Sequence, residues 1–145
     1  MIRPLSPTRL EQAAALEAQC FSAPLSRAGL AALLNNPACL WLAAEEGSRL
    51  LGYAGAHRSG PTAQLLRLAV APEARRQGVG STLLEALCAA LRGAGAACLL
   101  LELRESNHPA RLLYVRQGFF PAGRIPHYYA NPDEPGLIMR KELAP

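Results

Sequence analysis

The chain has 145 residues, half of them apolar, with a formal net charge of +4. That is enough chain for a single domain spanning 1–145 that buries roughly two-thirds of its unfolded surface, and the apolar content excludes a disordered polypeptide. No apolar run approaches the roughly eighteen residues of a membrane span, and MIRPLSPTRLEQ lacks the basic-then-apolar pattern of a signal peptide, so a cytoplasmic protein with no membrane partner is expected.

Residues 1–4 read as a short edge strand, and Ser6-Pro7 starts a helix running to about Cys20, with a side-chain oxygen to cap and proline at the first helical position. A shorter helix is expected from Ser26 to near Asn35. Strands Leu40–Ala44, Leu50–Ala56 and Gln64–Val70 are separated by Gly47-Ser48 and Ser59-Gly60-Pro61, the punctuation of an antiparallel meander. Leu83, Leu84, Leu87, Cys88 and Leu91 fall at helical spacing, and Gly93 and Gly95 close that helix. CLLLELR (98–104) has the apolarity of a strand buried on both faces, as in a parallel pairing. Asn107 can cap a helix over Pro109–Gln117 that ends at Gly118. Strands Phe119–Ile125 and Leu137–Lys141 then flank a turn-rich loop, HYYANPDEPG. The sum is an α/β sandwich around a mixed sheet.

The cysteines Cys20, Cys39, Cys88 and Cys98 form no CxxC pair and have no histidine at metal-ligand spacing, so reduced thiols and no metal site are expected. His57 and His108 have no sequence partner that would make a metal site or a triad. Lys141 is the only lysine; the arginines are scattered from Arg3 to Arg140, and only Arg75-Arg76 are adjacent. Surface or structural roles are expected for most of them, and a nucleic-acid partner is not.

The most informative segment is LRLAVAPEARRQGVGSTLLEAL, residues 66–87. A strand ends at Val70, crosses a proline-containing turn and meets Arg75-Arg76-Gln77-Gly78-Val79-Gly80-Ser81 at a helix start. A helix N-terminus offers unpaired N–H groups and the positive end of its dipole. Glycines there let a phosphate approach the backbone, and flanking arginines add charge-assisted hydrogen bonds. The bland alternative is a tight loop into a core helix. The glycine pattern is neither the GxxxxGK of a Walker A loop nor the GxGxxG of a Rossmann turn.

Arg75-x-x-Gly78-x-Gly80 resembles the R/Q-x-x-G-x-G/A signature of the GNAT acetyltransferases, and LAVAPEARR resembles that family's approach to it. LLLELRESNHPARLLYVRQGF, IPHYY, LIMRKEL and CFSAPLS extend the likeness to the ribosomal-protein-alanine N-acetyltransferases (the RimI-like branch) over nearly the whole chain. The resemblance implies a mostly antiparallel mixed sheet of about seven strands with about four helices on both faces. It implies acetyl-CoA as acetyl donor, with the diphosphate on the amides of Gln77, Gly78, Val79, Gly80 and Ser81 and the pantetheine arm along Leu68, Ala69 and Val70. The fourth strand would splay from CLLLELR to admit the thioester, and Asn107 matches a position that contacts the pantetheine.

Glu102 interrupts a leucine run and shares a face with Leu100 and Arg104 by strand alternation. Partial desolvation would raise its pKa toward the range of a general base; an ion pair with a neighbouring arginine is the other reading. Tyr114 is either a core aromatic beside Phe119 or, as the resemblance implies, the group that protonates the departing thiolate. A backbone N–H near the end of strand 64–70 would stabilise the oxyanion. Transfer would be direct, in a ternary complex, without an acyl-cysteine.

The resemblance also implies a protein N-terminal amine as acceptor, the terminal alanine of a small-subunit ribosomal protein. Gln64 stands where that branch has an acidic residue, Arg67 where asparagine is common, and Leu25 where tryptophan is frequent, so the acceptor contacts differ here. Gln64, Arg67 and His127-Tyr128-Tyr129 are the candidate acceptor wall, with Asp133 and Glu134 available to attract a cation; an exposed turn is the alternative for the loop. Competing readings are a small-molecule amine acceptor (amino acid, polyamine or antibiotic) and a non-catalytic CoA-binding or interaction module. The sequence is compatible with a monomer or a homodimer.

Overall fold

The computed structural model describes residues 1–143. Its sheet has the strands β1 (Ile2–Pro4), β2 (Cys39–Glu46), β3 (Arg49–Ser59), β4 (Thr62–Val70), β5 (Cys98–Arg104), β6 (Phe120–Tyr129) and β7 (Glu134–Glu142). They lie in the order β1-β2-β3-β4-β5-β7-β6, and only the β4–β5 pair is parallel. The helices are α1 (Leu10–Cys20), α2 (Arg27–Leu34), α3 (Val79–Gly93) and α4 (His108–Arg116). This is the GNAT-like arrangement that the sequence resemblance implied, with helices on both faces.

Local chemistry explains the helix ends. Ser6 Oγ accepts from Thr8 N at 3.3 Å, opening a 3₁₀ turn at Pro7–Arg9 from which α1 continues. Ser26 Oγ accepts from Gly29 N at 3.0 Å and starts α2. The stripe Leu83, Leu84, Leu87, Cys88 and Leu91 is buried, and Gly95 adopts φ +96° just beyond α3.

Two apolar layers result. α3 and α4 cover one face, where Leu84, Leu87 and Leu91 pack with Leu99, Leu101, Tyr114 and Phe119. α1 and α2 cover the other over β2, β3 and β4, with Trp41, Tyr53 and Ala69 beneath Leu16 and Leu30. β5 corrects the expectation of a strand buried on both faces: Leu99, Leu101 and Leu103 are buried, while Leu100 and Arg104 are half-buried and Glu102 is exposed. The alternation arises because α1 and α2 stop at β4 and leave that side of β5 uncovered.

The final hairpin is also longer than expected. β6 continues through His127, Tyr128 and Tyr129, and β7 begins at Glu134, so only residues 130–133 turn. Pro121 and Pro126 did not end the strand, because β6 is at the sheet edge, where a missing N–H costs no ladder bond.

Candidate active site

The turn after β4 forms a concave row of amides. Arg76 adopts φ +65° and Gly78 φ +77°, and these left-handed residues bring successive N–H groups round to one side. The N–H groups of Gln77, Gly78, Val79, Gly80 and Ser81 have no backbone acceptor among the described residues; the first satisfied one is Thr82 N, 3.0 Å from Gly78 O. Gly78 is the N-cap and has no side chain to fill the concavity. A Cβ at Gly80 would meet only Leu113 at 3.6 Å and Val70 at 3.7 Å, so packing within the chain does not demand glycine there. Arg75 folds back onto Val70 O (Nε, 3.4 Å) and Cys20 Sγ (Nη2, 3.6 Å), while Arg76 is exposed beside the amides. The arrangement suits a diphosphate.

β4 and β5 pair only at Thr62–Cys98, Ala63–Leu99 and Gln64–Leu100. Beyond Gln64 they part, so the β4 edge at Leu68, Ala69 and Val70 faces an opening where a strand would otherwise lie. A bulge sits at the same level: Gly55 pairs with Arg67 while Ala56 pairs with Leu65, leaving Leu66 as the extra residue. It turns Arg67 to the α1/α2 face, the face shared by Gln64, Leu100 and Glu102.

Glu102 lies on the α1/α2 face of β5, and Tyr114 packs in the layer on the other face. Glu102 is exposed beside half-buried Leu100 and Arg104, while Leu99, Leu101 and Leu103 point to the other face. Its carboxylate accepts a short hydrogen bond from the Tyr128 hydroxyl, which holds that phenol's pKa above its ordinary value. The Tyr114 ring is buried against Phe119, edge to face with centroids 5.5 Å apart, and burial pushes its pKa up to about 12. Its hydroxyl has no hydrogen-bond partner among the described residues, yet it is not one of the sealed polar atoms, so its tip meets solvent. The ring is therefore core, as one of the two readings expected, while the oxygen reaches the surface. Asn107 caps α4, its Oδ1 accepting from Ala110 N at 3.3 Å, and its amide nitrogen has no partner among the described residues.

Two loops border the opening on the Glu102 side. One is the β6–β7 hairpin. Tyr128 lies across Gly136, where a Cβ would come within 2.6 Å of its ring, and this close approach lets its hydroxyl reach Glu102. Arg104 pins the turn, with Nη1 to Pro132 O and Glu134 Oε1 (both 3.0 Å), Nη2 to Ala130 O (2.9 Å) and its guanidinium 4.7 Å from the Tyr129 ring centroid. Burial raises the Tyr129 pKa. Glu134 is thus paired with Arg104 and Ser106, and Asp133 lies 2.8 Å from His127 Nδ1, so neither is the free carboxylate expected to attract a cation. Gln64 is exposed at the apex where the strands part.

The other border is residues 21–25. Arg67, expected to face the acceptor, is engaged instead: Nε lies 3.2 Å from both oxygens of Glu17, Nη2 donates to Ala23 O at 3.2 Å, and the guanidinium stacks on Phe21 at 4.5 Å. Glu17 is fully buried and also accepts from Leu25 N at 2.7 Å and from the Tyr53 hydroxyl. Burial, reinforced by that bond, raises the Tyr53 pKa. Sequence reasoning missed Glu17 and Tyr53. A signal existed, since Glu17 falls on the i, i+3, i+7 stripe of Leu10 and Ala13, where a carboxylate needs a partner.

A family model described as Acetyltransferase (GNAT) family matches residues 10–119. The chain belongs to this family. It is 36% identical over 125 residues to a Bacillus subtilis protein provisionally named [ribosomal protein bS18]-alanine N-acetyltransferase, covering 86% of this chain and 83% of that one. The crystal structure of the ribosomal-protein-S18-alanine N-acetyltransferase from Escherichia coli superposes with a TM-score of 0.91 at 30% identity, covering 100% of this chain and 94% of the other. An aminoglycoside 6'-N-acetyltransferase complexed with coenzyme A shares the fold at 20% identity, with a TM-score of 0.88 and coverage of 100% and 98%. The GNAT protein described here is accordingly an N-acetyltransferase, and the relatives it resembles include enzymes named for ribosomal-protein alanine acetylation.

Proposed function

We propose that this enzyme transfers the acetyl group of acetyl-CoA to the N-terminal α-amine of a polypeptide in the cytoplasm, with the terminal alanine of a small-subunit ribosomal protein as the leading acceptor. One observation supports the reading: β4 and β5 part beyond Gln64 on the stretch of β4 that leads into the free amides of Gln77–Ser81, with Glu102 on one face of β5 and Tyr114 packed in the layer on the other.

Acetyl-CoA supplies the acyl group as an activated thioester. The amides of Gln77–Ser81, with Arg76 and with Arg75 once released from Val70 O, would hold its diphosphate, and the β4 edge at Leu68, Ala69 and Val70, not paired to β5, would pair with the amides of its arm. The free amide nitrogen of Asn107 would donate to the same arm. Glu102 takes a proton from the incoming ammonium, directly or through water. An α-amine has a pKa near 8, so its deprotonation at neutral pH costs little and suits an exposed carboxylate. A backbone N–H at the parted edge of β4 would stabilise the oxygen on which charge develops.

Tyr114 would donate a hydrogen bond to the sulfur, which leaves as the thiolate while the second proton, released by the nitrogen on acylation, passes through water to that thiolate. Complete transfer from a phenol near 12 to a thiolate is uphill, so the phenol's part is to stabilise developing charge while retaining its proton through the neutral range. Tyr128 and Tyr129 wall the acceptor side, and Gln64 offers an uncharged amide at the apex.

The test is acetylation followed by mass spectrometry on two panels, peptides differing in their first residue and small amines including polyamines and aminoglycosides. Turnover of Ala-initiated peptides is expected. Turnover of small amines alone would replace the acceptor, and no turnover on either panel would leave a CoA-binding module.

A further inference from the structure

We infer that Arg67 is a positioning residue that sets the acceptor entrance by clamping residues 21–25 over the parted half of β4. The inference rests on the reading that an amine approaches Glu102 from this face.

The bulge at Leu66 is what makes the clamp possible, since strict alternation from Gln64 would send Arg67 to the α3 face. Once turned, its guanidinium meets three points of one short segment: the Phe21 ring at 4.5 Å, Ala23 O at 3.2 Å and, through Glu17, the Leu25 N–H. Ser22, Ala23 and Pro24 are exposed, so these ties, rather than burial, hold the tip in place. The ties converge on a carboxylate with no solvent exposure, where the single Nε–H is shared between both oxygens and Nη2 is left for Ala23 O. Glu17 neutralises Arg67, and the arginine therefore acts through the loop it holds and not as a charge presented to the acceptor. The opposite border is built alike, with Arg104 of β5 pinning residues 130–134. An acceptor must pass between two walls, each held by an arginine from a strand beside the opening.

Arg67→Lys keeps the charge but cannot make the planar contacts to Glu17, Ala23 and Phe21 together. Phe21→Leu removes only the stacking surface and leaves the pair with Glu17 intact. With a peptide acceptor, Arg67→Lys is expected to raise the acceptor KM about tenfold while the acetyl-CoA KM stays within about twofold, and to narrow the preference between small and bulky first residues. Phe21→Leu should move the same quantities in the same direction by less. Hydrogen exchange of the amides at 21–25 should accelerate in both variants relative to the wild type, and this reads the clamp without turnover.

Unchanged exchange at 21–25 would overturn the clamp. So would equal changes in both KM values, or a lower melting temperature with unaltered acceptor KM. If Arg67→Lys does not fold, Phe21→Leu decides alone by the same criteria. A wild type that turns over no amine, yet shows the exchange difference, would sink the acceptor reading and leave the clamp as structure only, which also overturns the positioning role.

Discussion

Glu102 stands exposed on one face of β5 while the Tyr114 ring is sealed on the other, and this difference separates what their substitutions should do. Glu102→Gln removes a proton acceptor from a site with little packing. Turnover should fall about 10²–10³-fold with the melting temperature nearly unchanged, as read by steady-state kinetics beside thermal denaturation. Tyr114→Phe keeps the buried ring and loses the hydroxyl, so turnover should drop about tenfold or more while acetyl-CoA affinity holds. A stability consequence has a definite sign. Burial raises the Tyr114 pKa from 10 to about 12, so the protonated phenol contributes stability that is fully present below pH 10 and is lost as pH rises through 12. Urea unfolding measured across that interval should show a shallower decline in Tyr114→Phe than in the wild type. Glu102 stood out in the sequence because it interrupts a leucine run, whereas Tyr114 was singled out by the family resemblance, its spacing fitting a core aromatic equally well. The environment of Glu102 was not legible, since desolvation depends on which helix covers a face, and a run of leucines does not carry that information.

At the scale of elements, the two glycines opening α3 separate fold from ligand. Gly78 has φ +77°, a conformation that costs a side chain about 1–2 kcal/mol, so Gly78→Ala should lower the melting temperature. Gly80 is helical with room for a Cβ, so Gly80→Ala should leave stability unchanged or raise it by up to about 1 kcal/mol. Differential scanning calorimetry of the pair would distinguish them, and equal destabilisation would contradict this division. The α3 stripe, the Ser6, Ser26 and Asn107 caps and the meander of β2, β3 and β4 were readable from periodicity and punctuation. The bulge was not, because Leu65-Leu66-Arg67 contains no glycine to mark it. The reach of β6 was hidden by Pro126 and by His127 at φ +55°, which read locally as loop signals but are tolerated on an edge strand.

For the whole molecule, function follows from one departure from regular structure. A sheet that closed β4 onto β5 throughout would bury its edges and leave no passage between Glu102 and Tyr114. Parting after Gln64–Leu100 exposes a strand edge on the stretch that leads to the α3 amides, and the roles proposed for Glu102 and Tyr114 rest on that gap. The family signature at Arg75–Gly80 made the amide row readable from sequence, whereas the borders of the acceptor side depend on long-range ties, Glu17 to Arg67 and Arg104 to Ala130 and Pro132, that no local pattern encodes. The most direct measurement is calorimetric titration of acetyl-CoA into the folded wild-type protein at two ionic strengths. Saturable one-to-one uptake that weakens with added salt, as a diphosphate held by amides and arginines requires, is the predicted result. An absence of binding by protein shown to be folded would contradict the account.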